Sequence, residues 1–386
     1  MVSPTGYDLR KYARMVTSEP RMSAYADALK AAVTPGCTVF DIGAGPGVFS
    51  LLACQYGAGR VVAIEPDDSV ELLRPLAQAN GCMDRIEIFK GLSSDYSPAG
   101  KADVIVSDLR GSLPLFEHHV SAIKDARERL LAPGGTLIPM RDTIRAALAQ
   151  NAKAYSQFYE EPWLRNRFDL DLSAGHRFAV NLLAQVEPEH TRLLSEHADV
   201  VVIDYRSVSD PNLSASVDLA AADEGTIHGL LIWFDSELAP GIGFSNAPEL
   251  PPQIYGRVFF PVEQALHVGP GDRLAVELTA RLIDGKYIWA WNSTLWRAGA
   301  THPEVSFRQS TFLGKVLSPE SLRVRSSDFA PSPCELHEVD SYCLSLVDGR
   351  RTLSELAELL RARFADRFPA IEDALNHVTR LTARYR

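Results

Sequence analysis

Short apolar runs alternate with segments of helical periodicity through the first 150 positions of the chain. The runs expected to form strands cover residues 38–42, 61–64, 86–89 and 104–107. The segments expected to form helices cover residues 48–56, 70–80 and 121–131. Strands that alternate with helices form a parallel sheet with helices on both of its faces. The pattern therefore predicts an α/β fold with a Rossmann-like sheet over residues 36–148, preceded by a helical segment over residues 1–35.

The periodicity changes after residue 200, where short strands rich in Val, Ile, Trp and Phe are separated by turn signals. These turn signals are Pro240-Gly241, Gly269-Pro270-Gly271 and Asp284-Gly285. Such spacing is typical of antiparallel sheets. We predict an antiparallel β-barrel domain over residues 149–299, with a helical arm at about residues 151–200. Residues 300–333 are predicted to be a linker, and residues 334–386 a small helical module.

Composition excludes several classes of protein. The 386 residues contain 39 Lys and Arg against 49 Asp and Glu, a net charge of −10, which argues against binding to nucleic acid. No apolar run is long enough to span a membrane, and the first residues lack the apolar core of a signal peptide. The five cysteines are scattered, which fits reduced thiols and a cytoplasmic location. The His and Cys spacings match no standard zinc site, so we expect no metal.

A glycine-rich loop follows the first predicted strand. Its sequence is Asp41-Ile42-Gly43-Ala44-Gly45-Pro46-Gly47, and glycines let a backbone turn sharply and approach a ligand closely. Glu65 ends the second predicted strand, where a carboxylate can accept both hydroxyls of a ribose. The loop and the acid together predict a nucleotide-type binding site.

These motifs resemble those of class I S-adenosylmethionine-dependent methyltransferases. The resemblance implies that Gly43, Gly45 and Gly47 flank the methionine part of the cofactor and that Glu65 holds its ribose. It also implies that Asp41 orients the loop or contacts the ammonium group, directly or through water. Ser93 and Ser94 lie where this fold contacts adenine.

A second motif follows the fourth predicted strand. Asp108-Leu109-Arg110-Gly111 is followed by Glu117, nine residues after Asp108. Two carboxylates can grip a guanidinium through charge-assisted hydrogen bonds. The motif resembles the two-carboxylate loop of protein arginine methyltransferases, which implies catalytic roles for Asp108 and Glu117. In the same family an arginine before the first strand binds the cofactor carboxylate, and Arg21 is at that position.

The sequence departs from this family in three places. Asp108 stands where the family has glutamate, and Arg110 stands where it has methionine. The family's Thr-His-Trp loop, whose histidine supports the carboxylates, is replaced by Pro252-Gln253-Ile254. Arg110 would repel a guanidinium but could clamp a substrate carboxylate. Three hypotheses stay open: N-methylation of a guanidine or other nitrogen of a peptide or amino-acid-like substrate, methylation of a small carboxylate-bearing natural-product intermediate, or non-catalytic peptide binding.

Two further features concern partners. The arm carries Tyr155, Phe158, Tyr159 and Trp163, which we expect to be exposed and to form a homodimer interface. Residues 339–356 resemble PqqD-like domains, which are small winged-helix modules in peptide natural-product pathways. That resemblance implies binding of a precursor-peptide leader by residues 334–386, although a helical cap that only completes the fold is an equally good interpretation.

Overall fold

The computed structural model describes residues 9–161 and 163–385, so residues 1–8 of the predicted N-terminal segment lie outside it. Two compact units divide the chain, one over residues 5–316 and one that contains residues 317–386. The helices of the larger unit are α1 (Leu9–Val16), α2 (Glu19–Ala32), α3 (Val48–Gln55), α4 (Leu73–Ala79), α5 (His119–Asp125), α6 (Ala152–Tyr155) and α7 (Ser173–Ala179). None of the helices among the described residues has the length and apolar character needed to cross a membrane.

A five-stranded parallel sheet forms the first half of the larger unit. Its strands are β1 (Thr38–Ile42), β2 (Arg60–Ile64), β3 (Ile86–Phe89), β4 (Ala102–Ser107) and β5 (Leu131–Ile138). They lie in the order β3-β2-β1-β4-β5. The central strands β1 and β4 are almost wholly buried, as expected for strands covered on both faces. Their carboxyl ends, at Ile42 and Ser107, are adjacent in the register, which brings the two sequence motifs to one edge of the sheet.

Antiparallel sheets form the second half of this unit. The strands are β6 (Arg141–Gln150), β7 (Ala184–Gln185), β8 (Arg192–Leu193), β9 (Ala198–Asp204), β10 (Leu213–Ala220), β11 (Gly225–Ala239), β12 (Ile242–Ser245), β13 (Val258–Val268), β14 (Arg273–Ile283), β15 (Lys286–Trp296) and β16 (Val305–Ser310). One sheet is built around β6, β11 and β13, and the other has the order β10-β14-β15-β16. The antiparallel part begins at Arg141 rather than at residue 149, because β6 pairs along its length with β11.

Two predicted features differ from the structure. β16 lies inside the predicted linker of residues 300–333 and pairs with β15, so the sheet continues further than expected. In the arm, Phe158 is exposed, but Tyr155 and Tyr159 are buried in a small apolar cluster with Trp233 and Phe259. Their hydroxyls donate to the backbone carbonyls of Val262 and Leu182, which explains how these amphipathic side chains can face inward.

The regular secondary structure of the C-terminal unit is helical in its described residues. It contains α8 (Pro319–Arg323), α9 (Glu335–Ser345), α10 (Leu353–Arg363) and α11 (Ile371–Thr382). Thr352 and Glu355 form a reciprocal capping box at the start of α10. The core contains Val339, Leu356, Leu360 and Val378. No strand occurs between residues 317 and 385, so the β-wing of the predicted winged-helix-like module is missing from this part of the chain.

Candidate active site

The glycine loop joins β1 to α3 in a backbone conformation that requires glycine. Gly43 and Gly45 have φ values of 74° and 51°. A Cβ atom at Gly43 would lie 2.2 Å from the Leu109 side chain, and one at Gly45 would lie 2.6 Å from the Tyr12 ring. The loop is therefore pressed between α1 on one side and the segment after β4 on the other. Any larger residue would push these two layers apart.

Asp41 anchors the start of α3 from the buried end of β1. Its Oδ2 accepts hydrogen bonds from the Ser50 backbone N–H at 2.9 Å and from the Ser50 hydroxyl at 2.7 Å. Burial raises the pKa of Asp41 to about 7, although the two Ser50 hydrogen bonds act in the opposite direction. The buried Oδ1 atom has no hydrogen-bond partner among the described residues. Asp41 thus fixes the first turn of α3, and its Oδ1 keeps acceptor capacity, so the predicted contact with an ammonium group or a water stays a prediction.

Glu65 lies at the end of β2 and faces the glycine loop. Its carboxylate accepts the Gly45 N–H and the Asp67 N–H, each at 2.9 Å. Burial raises the pKa of Glu65. An ionised carboxylate offers about four lone pairs, so two remain for ribose hydroxyls. The side chain therefore fits the ribose-binding role that the sequence predicted for it.

Ser93 and Ser94, which are predicted to contact adenine, and Arg21 have hydrogen-bond partners within the protein. Ser93 is buried in a short turn after β3, where its carbonyl accepts from Arg129 at 2.6 Å, and Ser94 is exposed beside it. Arg21 is buried on α2 and bonds the Met15 carbonyl at 3.2 Å. Together with Tyr12 and Asp108, Arg21 and the glycine loop line a small cavity of about 50 Å³. The cofactor loop and the first catalytic candidate therefore share one cavity.

Asp108 is held by two arginines and a tyrosine. Arg21 donates from Nε to Oδ2 at 2.7 Å and places Nη2 at 2.6 Å from the same atom. Arg110 donates from Nη1 to Oδ1 at 2.9 Å, and Tyr255 donates from its hydroxyl to Oδ2 at 2.6 Å. Burial alone would raise the pKa of Asp108, but Arg21, Arg110 and the Tyr255 hydrogen bond outweigh it and lower the pKa to about 2. Asp108 is thus a buried, ionised carboxylate.

Arg110 was expected to be able to bind a substrate carboxylate, but its hydrogen-bond partners are groups of the protein itself. Its Nε and Nη2 form a bidentate pair with Asp142, at 2.6 and 3.0 Å, and Nη2 also donates to Ser236 at 2.7 Å. Its Nη1 donates to Asp108 and to the Tyr25 hydroxyl. These bonds use all five N–H donors of a fully buried guanidinium, so none is left for a substrate. Arg110 therefore binds other parts of the protein.

Two of the partners of Arg110 come from paired strands and were not predicted. Asp142 on β6 and Ser236 on β11 are directly opposite each other in the sheet register. Tyr205 donates to Asp142 Oδ2 at 2.6 Å and lies 2.9 Å from His119 Nε2. Burial lowers the pKa of His119 to about 4, so the imidazole is neutral at physiological pH. A continuous chain of hydrogen bonds thus connects α5 to Asp108.

Glu117 has different surroundings from Asp108. It is exposed, and no ion pair or hydrogen bond of its side chain is found within the described part of the chain. Its φ of 41° is in the left-handed region, which costs a non-glycine residue about 1–3 kcal/mol and is characteristic of functional sites. The structure therefore brings Asp108 to the glycine loop and leaves Glu117 exposed nine residues further along the chain.

The fold and the site define a class of protein. A five-stranded parallel sheet, a glycine loop after β1, and acids after β2 and β4 are the arrangement of Rossmann-like methyltransferases. The model of the family described as ribosomal protein L11 methyltransferase matches residues 23–168. The model described as the arginine methyltransferase oligomerization subdomain matches residues 148–286. Neither match extends into the C-terminal unit.

Individual relatives are more specific. An arginine N(omega)-methyltransferase of Streptomyces achromogenes is 27% identical over 68% of this chain and 74% of its own length. Protein arginine N-methyltransferase 1 of Saccharomyces cerevisiae is 25% identical over 62% and 71%. The structure of the Trypanosoma brucei PRMT1 enzyme-prozyme complex with AdoHcy has a TM-score of 0.70 at 20% identity, covering 78% of this chain and 96% of that one. The chain is therefore an S-adenosylmethionine-dependent methyltransferase that is similar to arginine methyltransferases over residues 23–286.

Proposed function

We propose that the protein methylates a guanidine nitrogen of an arginine-type acceptor, either free or within a peptide. The observation that carries this proposal is the position of Asp108, an ionised carboxylate in the wall of the cavity that the glycine loop also lines. Oδ1 of Asp108 accepts one hydrogen bond from Arg110 and has a lone pair left for a hydrogen bond from a cationic acceptor next to the cofactor. The relatives, which are named as methyltransferases of arginine or of protein arginine, support the same acceptor.

The chain's own residues supply positioning and charge. When bound, S-adenosylmethionine supplies an electrophilic methyl group, and we assign its ribose to Glu65 and its methionine part to the glycine loop, Asp41 and Arg21. Asp108 and Glu117 would hold the guanidinium by charge-assisted hydrogen bonds and draw positive charge away from the attacking nitrogen. Glu117 is exposed, so it can accept the proton that the nitrogen loses and pass it to water.

Transfer of labelled methyl groups tests the acceptor class. We expect label from S-adenosylmethionine to enter L-arginine or an arginine-containing peptide, and not the same peptide with lysine. Glu65→Ala is the matched variant, because losing a hydrogen-bonded charged group should weaken S-adenosylhomocysteine binding by about 1.5–3 kcal/mol. If the protein binds S-adenosylhomocysteine but labels no guanidine, the acceptor class is wrong. If it labels no acceptor of any kind, the non-catalytic hypothesis is favoured.

The small carboxylate-bearing intermediate is less well supported than a guanidine. That hypothesis relied on Arg110 as the group that binds the carboxylate, and all five of its N–H donors are engaged inside the protein. Buried guanidinium groups with complete hydrogen bonding are poor binding sites, since a ligand must first displace internal partners.

We further propose that the arm forms a homodimer interface. Its exposed apolar side chains support this: Phe158, Leu164, Phe168, Leu170, Phe178 and Leu182. Light scattering should give a particle of twice 42.4 kDa. Replacing both Phe168 and Leu170 with Glu should weaken the dimer about 100-fold or more, because each buried side chain contributes about 1.5–3 kcal/mol. Ile283→Glu, at an exposed apolar position outside the arm, is the control. A wild-type monomer at micromolar concentration would contradict the proposal.

The C-terminal unit and the cellular context complete the proposal. We assign this unit to binding of a precursor-peptide leader in a biosynthetic pathway, on its resemblance to PqqD-like domains. Its exposed Leu336, Val347 and Leu359 support an apolar peptide contact. Since residues 317–385 contain no strand, the peptide would bind in a groove between helices rather than by strand addition. The five free cysteines support a reducing, cytoplasmic location.

A further inference from the structure

Tyr255 is the residue near Asp108 that the sequence motifs did not predict. It follows Pro252-Gln253-Ile254, the segment that stands in place of the Thr-His-Trp loop. Its hydroxyl donates to Asp108 Oδ2 at 2.6 Å and accepts from Arg21 Nε at 3.1 Å. The same loop region thus supplies a hydrogen-bond donor to the carboxylate, although the donor is a phenol and stands one residue after that segment.

The hydrogen bonds on Asp108 are distributed unevenly between its two oxygens. Within the part of the chain that the structure describes, Oδ2 accepts hydrogen bonds from Tyr255 and the Arg21 guanidinium, whereas Oδ1 accepts one from Arg110 Nη1 alone. A carboxylate oxygen offers about two lone pairs, so Oδ2 is fully used and Oδ1 keeps one. The nitrogen that accepts the methyl group can therefore donate a single hydrogen bond to Asp108, at Oδ1. The hydrogen bonds from Tyr255 and Arg21 to Oδ2 decide which way Oδ1 faces.

Tyr255 is itself held rigidly. Its ring is buried, stacks on Phe244 at a centroid distance of 5.7 Å and meets Phe234 edge-on at 5.1 Å. Burial and the neighbouring Asp108 raise the pKa of Tyr255 well above its usual value, so the phenol stays a neutral donor. A donor fixed by packing holds a carboxylate in one orientation without reorganisation during the reaction.

We propose that Tyr255 is a positioning residue that fixes the orientation of Asp108, so that one lone pair of Oδ1 faces the acceptor nitrogen. Tyr255 thereby supports the carboxylate, as the histidine of the Thr-His-Trp loop does in protein arginine methyltransferases. This inference rests on the proposed guanidine methyltransferase function. Tyr255 acts through Asp108 and has no contact with the acceptor of its own.

Tyr255→Phe tests this role by removing only the hydroxyl. We expect kcat for the acceptor to fall about 10- to 100-fold, the effect of a misplaced reacting group, while the Kd of S-adenosylhomocysteine stays within about twofold. Tyr155→Phe is the matched control, because Tyr155 is equally buried in a cluster separate from that of Tyr255, and its hydroxyl donates at 3.1 Å to the Val262 carbonyl. Wild-type kcat in Tyr255→Phe would overturn the inference.

A double-mutant cycle with Asp108→Asn separates positioning from a general structural role. Single-turnover methyl transfer from tritiated S-adenosylmethionine to L-arginine and to an arginine-containing peptide is the measurement. If Tyr255 acts through Asp108, adding Tyr255→Phe to Asp108→Asn should change the rate less than twofold. Additive losses would show that Tyr255 acts elsewhere and would exclude the inference. Failure of the proposed function is distinguishable, since the wild-type protein would then label neither acceptor.

Discussion

Arg110→Met introduces the residue that protein arginine methyltransferases have at this position. It should destabilise the protein by about 3–5 kcal/mol. The change removes the bidentate partner of Asp142, whose carboxylate is fully buried and then keeps, among the described side chains, the hydrogen bond from the Tyr205 hydroxyl alone. An uncompensated buried charge is costly because no water can solvate it. Urea unfolding followed by tryptophan fluorescence is a suitable measurement, since all five tryptophans belong to the larger unit.

Two further variants identify the cause of this loss. Asp142→Asn combined with Arg110→Met removes the unpaired charge and should recover at least half of the lost free energy of unfolding. Arg60→Met breaks a pair with Glu87 that is exposed on both sides, and it should cost no more than about 1 kcal/mol. If Arg110→Met left stability unchanged and raised only the KM of carboxylate-bearing acceptors, Arg110 would be a substrate clamp after all.

The sequence predicted β1 to β4 of the parallel sheet because each is a short, largely apolar run, whereas β5 (Leu131–Ile138) was missed because it contains the Pro133-Gly134-Gly135 turn signal and is largely unburied at its start. The predicted strand at residues 38–42 has the bounds of β1. The predicted helix over residues 70–80 is divided instead into a 3₁₀ turn, Asp68–Leu72, and α4. Pro75 explains the division, since it has no N–H for an α-helical bond to residue 71 and is tolerated only in the first turn of a helix. β16 was missed because one of its inward positions is Gln309, which conceals the apolar alternation.

The candidate site was predicted in part. Asp108, Arg110 and Glu117 lie on one loop, so their spacing is visible in the sequence. Their partners are remote: Asp142 is 32 residues from Arg110, and Tyr255 is 147 residues from Asp108. Such contacts depend on the strand register between β6 and β11 and on the loop before β13, which no local pattern specifies. The sequence therefore identified chemically suitable residues but not the internal ion pairs that fix their roles.

Glu117→Gln should lower kcat about 100-fold or more, the loss expected when one charge-positioning group is removed. The amide keeps the size of the side chain but replaces a negative acceptor by a neutral group that also carries N–H donors, and these face the donors of a guanidinium. Because Asp108 has one lone pair left for the methyl acceptor, most of the charge-assisted hydrogen bonds to a cationic acceptor would come from Glu117. Cofactor affinity should stay within about twofold, since Glu117 is not among the residues assigned to the cofactor.

Glu117→Gly provides the sharper comparison, because it separates backbone strain from chemistry. Glycine adopts a φ of 41° without the steric cost that glutamate incurs, so this variant should be as stable as the wild type or more stable, yet as inactive as Glu117→Gln. Glu196→Gln, at an exposed acid outside the site, should retain full activity. The measurements are kcat with an arginine acceptor and the free energy of unfolding for each variant. Wild-type rates in both Glu117→Gln and Asp108→Asn would show that neither carboxylate binds the acceptor. A loss of activity together with a gain in stability in Glu117→Gly would mean that the strained backbone at Glu117 is retained for the reaction.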